Sequence, residues 1–207
     1  RDRLMADRVT WDLFNAALQR HAAALRRITF GRIPLQLSHF RRLERVVQRG
    51  IPLGAVMSYT CSEAMGLPAL RSLELSTGYS VYNNPESARI LVGADAMRDV
   101  GELIASCPRL STVKLDVNCE PDAWPALAAG LATCAQLRRF KASLDRGDGA
   151  RAVARSLASH KGLTSLDLTF LDRYADVTKL LASLPALRTL KLLTWTASED
   201  VPVAQPA

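Results

Sequence analysis

The chain has 207 residues and a formal net charge of +7, with 48% hydrophobic and 23% charged residues, proportions typical of folded globular proteins. This composition excludes disordered, collagen-like and disulfide-rich classes, and no stretch approaches the 18 uninterrupted apolar residues of a membrane-spanning helix. The chain does not start with Met, and its opening RDRLMADRVTWD lacks the pattern of a secretory signal, so we expect a fragment or a processed chain.

All of the excess positive charge lies at the N-terminal end. Residues 1–50 contain 11 Arg and 4 acidic residues, whereas residues 51–207 contain 16 basic and 16 acidic residues. A basic end can dock on an acidic partner, an anionic surface or nucleic acid. Arg stems also cover apolar helix surface, and a GC-rich genome favours Arg over Lys, so the charge has a purely structural interpretation as well.

Internal repeats dominate the sequence. Residues 67–75 (LPALRSLEL) and 184–192 (LPALRTLKL) are identical at seven of nine positions. Both contain three apolar residues at positions i, i+3 and i+5, and we call this pattern a kernel. This spacing predicts a short strand facing a core, and its repetition indicates a solenoid. Six copies occur, at Leu25/Ile28/Phe30, Leu70/Leu73/Leu75, Leu110/Val113/Leu115, Leu137/Phe140/Ala142, Leu163/Leu166/Leu168 and Leu187/Leu190/Leu192.

The first part of the chain, residues 10–94, is irregular. Thr10 is a suitable cap for an opening helix over WDLFNAALQRHAA, ahead of the first kernel. The next clear kernel comes 45 residues later, and a degenerate strand at Leu53/Val56 would leave too few residues for a helical return. The number of repeats in this interval therefore stays open. Residues 78–89 (GYSVYNNPESAR) have the composition of an inserted loop, which is a second candidate for ligand contact.

The second part, residues 95–195, is regular, with kernels 27, 26 and 24 residues apart. Ten to fourteen residues with apolar groups at helical spacing precede each kernel, so strand and helix alternate. Asp122 and Asp176 are suitable N-terminal residues of two of these helices, because a carboxylate accepts hydrogen bonds from the first free amides. RGDG at 146–149 predicts a turn that opens a helix, and residues 196–207 form a tail. The helical apolar positions are Val100/Leu103/Ile104, Leu127/Leu131, Val153/Leu157 and Val177/Leu180/Leu181.

The four cysteines show neither CxxC spacing nor clustering with histidines, which disfavours a metal site. Cys107 and Cys134 each stand three residues before a kernel, so we predict that they are buried packing thiols and that His160, in the same slot, is a partly buried packing residue. Only Cys61 has no explanation in the repeat, and we expect the charge of Glu63 to raise the pKa of its thiol. The position of Cys107, Cys134 and His160, three residues before a kernel, is occupied by Leu67 and Leu184 in two other copies.

With these kernels and helices, the chain resembles a leucine-rich repeat protein of the ribonuclease-inhibitor-like and cysteine-containing types. Residues 149–170 (GARAVARSLASHKGLTSLDLTF) are close to the first pattern. Residues 103–119 (LIASCPRLSTVKLDVNC) fit the second, with Asn118 at the position of the asparagine ladder. The resemblance covers residues 95–195 well and residues 10–94 loosely. The ladder asparagine occurs only once, so we expect irregular repeats.

The resemblance implies one α/β domain over residues 1–207. It would be a right-handed leucine-rich repeat solenoid, or horseshoe, with parallel strands on the concave face and helices on the convex face. Each repeat of such a solenoid buries its kernel only against its neighbours. Truncation of a kernel leucine, such as Leu166 or Leu190, to Ala is therefore expected to cost about 2–5 kcal/mol.

Strand side chains alternate, so the residues between the kernel positions are expected on the concave face. They are polar and mixed in sign, and no aromatic row interleaves them, which disfavours a platform for single-stranded nucleic acid and suits a protein ligand. Trp195, just past the last kernel, is either a further contact or an end cap, and a merely solvated face is the alternative. The candidate partner-binding residues are Arg27, Thr29, Glu74, Lys114, Asp116, Arg139, Lys141, Asp167, Lys191 and Trp195.

The sequence contains no nucleophile motif, phosphate-cradling glycines or metal-ligand spacing. The first hypothesis is therefore a non-catalytic, monomeric module that binds a protein partner and needs no metal or cofactor. Similarity to Ala- and Arg-rich repeat proteins suggests the substrate-recognition part of a bacterial effector secreted into the host cytoplasm, or of a ubiquitin-ligase-type protein. Two other hypotheses are Cys-dependent, ubiquitin-ligase-like catalysis through Cys61, and binding of nucleic acid or an anionic surface by the N-terminal arginines.

Overall fold

The elements of the fold alternate between strand and helix along most of the chain. The computed structural model describes residues 13–31, 35–50, 54–76, 91–117, 119–120, 122–144, 148–170 and 180–194. In chain order the elements are α1 (residues 13–19), β1 (Arg27–Phe30), β2 (Arg45–Arg49), α2 (Gly54–Ala64), β3 (Ser72–Ser76), α3 (Ala94–Ser106), β4 (Thr112–Asp116), α4 (Ala123–Thr133), β5 (Arg139–Leu144), α5 (Asp148–Ala158), β6 (Ser165–Phe170), α6 (residues 180–182) and β7 (Thr189–Thr194). The predictions for Thr10, residues 78–89, Asn118, residues 145–147, Asp176 and Trp195 lie outside the described residues.

The seven strands form one sheet in which each strand pairs in parallel with the next one along the chain, in the order β1 to β7. Parallel neighbours require a connection that returns the chain to its starting edge, and a helix usually supplies it. Because every step moves in the same direction, the architecture is α/β and solenoid-like. None of the described helices is long and apolar enough to cross a membrane.

A repeated backbone contact joins consecutive strands. The N–H groups of Ser111 and Thr112 both donate to the Arg71 carbonyl, each at 3.0 Å, and those of Arg138 and Arg139 donate to the Ser111 carbonyl. The same doubled contact occurs at all six steps between the seven strands, so the strands start at equivalent points. The six acceptor carbonyls belong to Arg26, Glu44, Arg71, Ser111, Arg138 and Thr164.

Strand β2 supplies the repeat that the sequence left open. Its kernel is Leu43/Val46/Gln48, in which the buried Gln48 stands in register with Phe30 and Leu75. A polar residue at this inward position hid the apolar pattern. Residue 56 lies in α2 and not in a strand, and the missing repeat lies nearer the N-terminus. It has no helix among its described residues, 35–43.

Inward side chains of the strands and the buried sides of the helices form one apolar core. The predicted kernel positions Leu73, Val113 and Leu166 are fully buried, and burial alternates along β3 and β4 as expected. The prediction for Leu190 is wrong, because this side chain is 43% exposed. It lies on β7, the last strand of the sheet, and no further strand among the described residues stacks against it.

Helices α3 and α4 pack backbone against backbone at a pair of glycines. A Cβ built on Gly130 would fall on the backbone of Gly101, so position 130 has no room for a side chain. The predicted apolar positions of both helices are buried. Asp122 is the N-cap residue of α4 as predicted, but its side chain makes no capping hydrogen bond, because its backbone is helical (φ −83°, ψ −7°) and not extended.

Candidate functional site

We call the side of the sheet opposite the apolar core the polar face. It consists of the outward side chains of β1 to β7, which alternate with the buried kernel positions. Register aligns them in rows that cross the strands, about 4.8 Å apart from one strand to the next. The middle row runs through Thr29, Val47, Glu74, Lys114, Lys141, Asp167 and Lys191, and the row beside it runs through Arg27, Arg45, Ser72, Thr112, Arg139, Ser165 and Thr189.

In the first half of the polar face, strands β1 to β3, the charges gather around one carboxylate. The Glu74 carboxylate, whose side chain is 18% exposed, lies 3.0 Å from Nη2 of Arg45, 3.6 Å from Nη2 of Arg49 and 3.8 Å from Nζ of Lys114. Val47, beside Glu74 in the same row, is buried. One carboxylate therefore engages the cations of two neighbouring strands, and Arg45 and Arg49 are less available to a ligand than unpaired arginines would be.

The second half of the polar face holds a groove of about 540 Å³ across β4 to β7. Lys141 Nζ lies 3.5 Å from Asp167 Oδ2, and these two side chains remain partly exposed. Arg139 and Arg188 are both exposed, and no carboxylate among the described residues lies within ion-pair distance of either. The charged residues lining the groove are Lys114, Arg139, Lys141, Asp167 and Arg188, with Ser165 and Thr189 beside them.

The strands place nine of the ten predicted site residues on the polar face, but not in one site. Lys114, Arg139, Lys141 and Asp167 line the groove, while Glu74 belongs mainly to the ion-pair cluster of the first half. Lys191 is exposed on the last strand. The remaining three, Arg27, Thr29 and Asp116, are exposed on β1 and β4.

Sequence reasoning missed three charged residues of the face. Arg45 and Arg49 were missed because strand β2 itself was not predicted. Arg188 was missed because it precedes β7 and does not lie within it. The repeated LPALR segment, which ends in Arg71 and Arg188, was the signal that could have marked this position.

The cysteine slot behaves as predicted. Cys107 and Cys134 are buried free thiols, and their Sγ atoms donate to carbonyls of the preceding repeat, of Ala64 at 3.7 Å and of Leu110 at 3.3 Å. His160 occupies the same slot and is more deeply buried than predicted. Its Nε2 has no hydrogen-bond partner, and burial lowers the pKa of its imidazole.

Cys61 lies in α2 and is fully buried. Burial raises the pKa of its thiol far above the ordinary value, and the charge of Asp99 adds to the effect. Glu63, the expected cause, instead accepts a hydrogen bond from Ser38 Oγ at 2.9 Å. A thiol in this environment is rarely ionised, whereas a nucleophilic cysteine needs an accessible thiolate.

Comparison with known proteins concerns the fold. No protein-family model and no curated protein matches the sequence. Among the solved structures that match, "Leiomodin-1 Actin-Binding Site 2 (ABS2)" has 13% sequence identity and a TM-score of 0.51, over 69% of this chain and 81% of that chain. At this identity the similarity shows the fold alone, and the chain is similar in architecture to that structure.

Proposed function

We propose that the chain is a non-catalytic protein-interaction module of the leucine-rich repeat type, and that it binds a protein partner on the polar face, the concave side of the proposed horseshoe. The observation that carries the proposal is the groove of about 540 Å³, open on the polar face and lined by charged and hydroxyl side chains from four consecutive strands.

The character of this lining favours a protein over a small molecule. Small-molecule pockets are mostly apolar, with a few polar groups, whereas four of the residues that line this groove are cationic and one is anionic. Exposed side chains that are mixed in sign, spread over successive strands, suit a partner with a long, charge-matched footprint.

The hypothesis of catalysis through Cys61 receives no support from the site. Its thiol is buried in the core and its pKa is raised, which is the environment of a structural cysteine. Over the described part of the chain, no three His, Cys, Asp or Glu side chains cluster in a way that could hold a metal ion.

Binding of nucleic acid through the N-terminal arginines is the weaker alternative. Arg26 pairs with Glu44 at 2.8 Å, and Arg45 and Arg49 both pair with Glu74. Stacking side chains are also missing, because none of the outward positions of the described strands is aromatic.

The proposal extends to the setting suggested by the sequence, in which such a module recognises substrates for a bacterial effector or a ubiquitin-ligase-type protein. A protein ligand is the common requirement of these roles. The leiomodin structure with a similar fold is itself a protein-binding site, for actin, although its low identity assigns no partner to this chain.

Affinity capture with matched charge reversals tests the proposal. We expect Lys114→Glu combined with Lys141→Glu to lose the partners that the unchanged protein captures from host-cell lysate. The control is Arg98→Glu combined with Arg155→Glu, two exposed positions on α3 and α5 that change the net charge equally. If both double variants retain or lose the same partners, the polar face is not the binding site.

A further inference from the structure

We infer that the groove of the second half receives an acidic segment of the partner, in which two neighbouring carboxylates lie among Lys114, Arg139, Lys141 and Arg188. The inference rests on the proposed function and adds the chemistry of the ligand. It starts from the surplus of cations that the sheet brings together, four against the single carboxylate of Asp167.

The arrangement of these cations costs the isolated sheet stability. Lys114 and Lys141 are register partners on the parallel strands β4 and β5, so their like charges repel each other. Each lysine has a carboxylate only on its far side, at 3.8 Å from Glu74 and 3.5 Å from Asp167. Both distances exceed the roughly 2.7–2.9 Å of a strong charged hydrogen bond. An anion between the two lysines would relieve their repulsion.

The spacing of the cations matches carboxylates on a peptide. Arg139 and Lys141 are two positions apart on one strand, so they point the same way about 6.6–6.8 Å from each other. Alternate side chains of an extended peptide have the same spacing, because they follow the same geometry. Two acidic residues separated by one other residue can therefore meet Arg139 and Lys141 together. Arg188, outside the strands, closes the groove on the side of β7.

Flanking carboxylates favour a peptide over a nucleic acid strand. The middle row of the polar face reads negative, positive, positive, negative and positive from Glu74 through Lys114, Lys141 and Asp167 to Lys191. A continuous polyanion would bring further phosphates against Glu74 and Asp167. A peptide can place neutral or basic residues there, since its charges need not be continuous.

Selection from a displayed library of random peptides tests the inference even while the natural partner is unidentified. We expect the unchanged protein to enrich peptides with two acidic residues next to each other or separated by one residue. Enrichment of apolar or basic peptides would overturn the acidic-segment inference and leave the proposed function intact. A library that yields no specific binder would overturn both.

Titration of a selected acidic peptide, synthesised with a fluorescent label, then locates the site. We expect Lys114→Gln combined with Lys141→Gln to weaken binding at least about tenfold, because each substitution removes a charged hydrogen bond. Arg188→Gln, which leaves the strands unchanged, should weaken it severalfold, and Arg155→Gln on α5 should leave it unchanged. Equal affinity in all four proteins would overturn the assignment of the groove.

Competition separates the two kinds of anion. An oligothymidylate added to the bound peptide should displace it only at concentrations far above those of the unlabelled peptide. Displacement by the oligonucleotide at equal or lower concentration would overturn the inference in favour of nucleic acid. Replacement of both acidic residues of the peptide by Gln should abolish binding, and unchanged binding would likewise overturn it.

Discussion

The two halves of the polar face are built from the same residue types and differ in how their charges are paired. In the first half Arg45 and Arg49, together with Lys114 of β4, converge on one carboxylate, Glu74. In the second half Arg139 and Arg188 have no such partner among the described residues. The comparison teaches that charge available for binding differs from charge counted along the sequence. The strongly basic N-terminal segment is partly neutralised in space, while the part that is neutral overall contains the cationic groove.

The two ends of the stack of strands differ as well. On β1, the first strand, the kernel side chains of Ile28 and Phe30 are each only 9% exposed. At β7 the kernel side chain of Leu190 is 43% exposed, and that of Leu192 is only partly buried. The apolar core is thus almost closed at the N-terminal end, whereas the described residues leave the opposite end open.

Truncation at the two ends should show the largest effect. We expect Phe30→Ala, on the first strand, to lower the free energy of unfolding by about 3–5 kcal/mol, because it leaves a cavity in a core that is almost closed there. Leu166→Ala, in the middle of the stack, keeps the expectation of about 2–5 kcal/mol. Leu190→Ala should cost only about 1 kcal/mol, because its side chain is already partly hydrated. Urea unfolding measures all three, and equal losses would contradict the difference between the ends.

A methyl group added between helices α3 and α4 should have the next largest effect. Gly130→Ala places its Cβ against the backbone of Gly101, which cannot move aside without shifting α3 from α4. We expect a loss of about 1–3 kcal/mol, as for overpacked cores, measured by thermal unfolding. Gly162→Ala is the matched control, because its Cβ would meet only the flexible end of the Arg138 side chain. A control variant as unstable as Gly130→Ala would show that the helix contact is not the cause.

Removal of the central carboxylate should make the first half resemble the second. Glu74→Gln releases Arg45, Arg49 and Lys114 from their shared partner. We expect it to lower stability by about 1 kcal/mol and to strengthen binding of an acidic peptide several-fold, measured by fluorescence titration at low salt. Asp95→Asn, which breaks the exposed pair with Arg98 on α3, should change neither quantity. Weaker peptide binding in Glu74→Gln would contradict the proposed difference between the halves.

The smallest expected effect concerns the pH dependence of stability and involves His160, which is buried between the end of α5 and the start of β6. Burial lowers the pKa of His160 in the folded chain from the ordinary value of 6.5, so the unfolded chain takes up its proton first as the pH falls. Stability from this group is therefore complete above pH 6.5 and is lost as the pH decreases below it, by at most about 1.4 kcal/mol per pH unit. His160→Leu, which restores the residue of two other copies, should flatten this part of the pH profile. An unchanged profile in urea unfolding between pH 7 and pH 5 would contradict the assignment.

Much of the architecture follows from local patterns. The kernels at Leu70, Leu110, Leu137 and Leu163 predicted strands that the structure confirms, and the helical spacing before three of them predicted α3, α4 and α5. The slot of Cys107 and Cys134 was likewise visible, because equivalent positions of a repeat share one environment. Gln48 marks the limit of this approach, since one polar inward residue hid a complete repeat.

The candidate site depended on information that local patterns lack. Lys114 and Glu74 are forty residues apart in sequence, and only the parallel register places them opposite each other. Leu190 has the same kernel position as Leu166, and only its place at the last strand leaves it exposed.

By itself, the sequence determined most of the strands and helices and which sides of them face the core, because these properties depend on periods of two and about 3.6 residues within one repeat. The tertiary structure alone decided which charges neutralise one another, which remain available in the groove, and where the core is left open. The physical reason is that ion pairing and burial depend on neighbours from other repeats, whose distance in space is set by the stacking of strands and not by their separation along the chain.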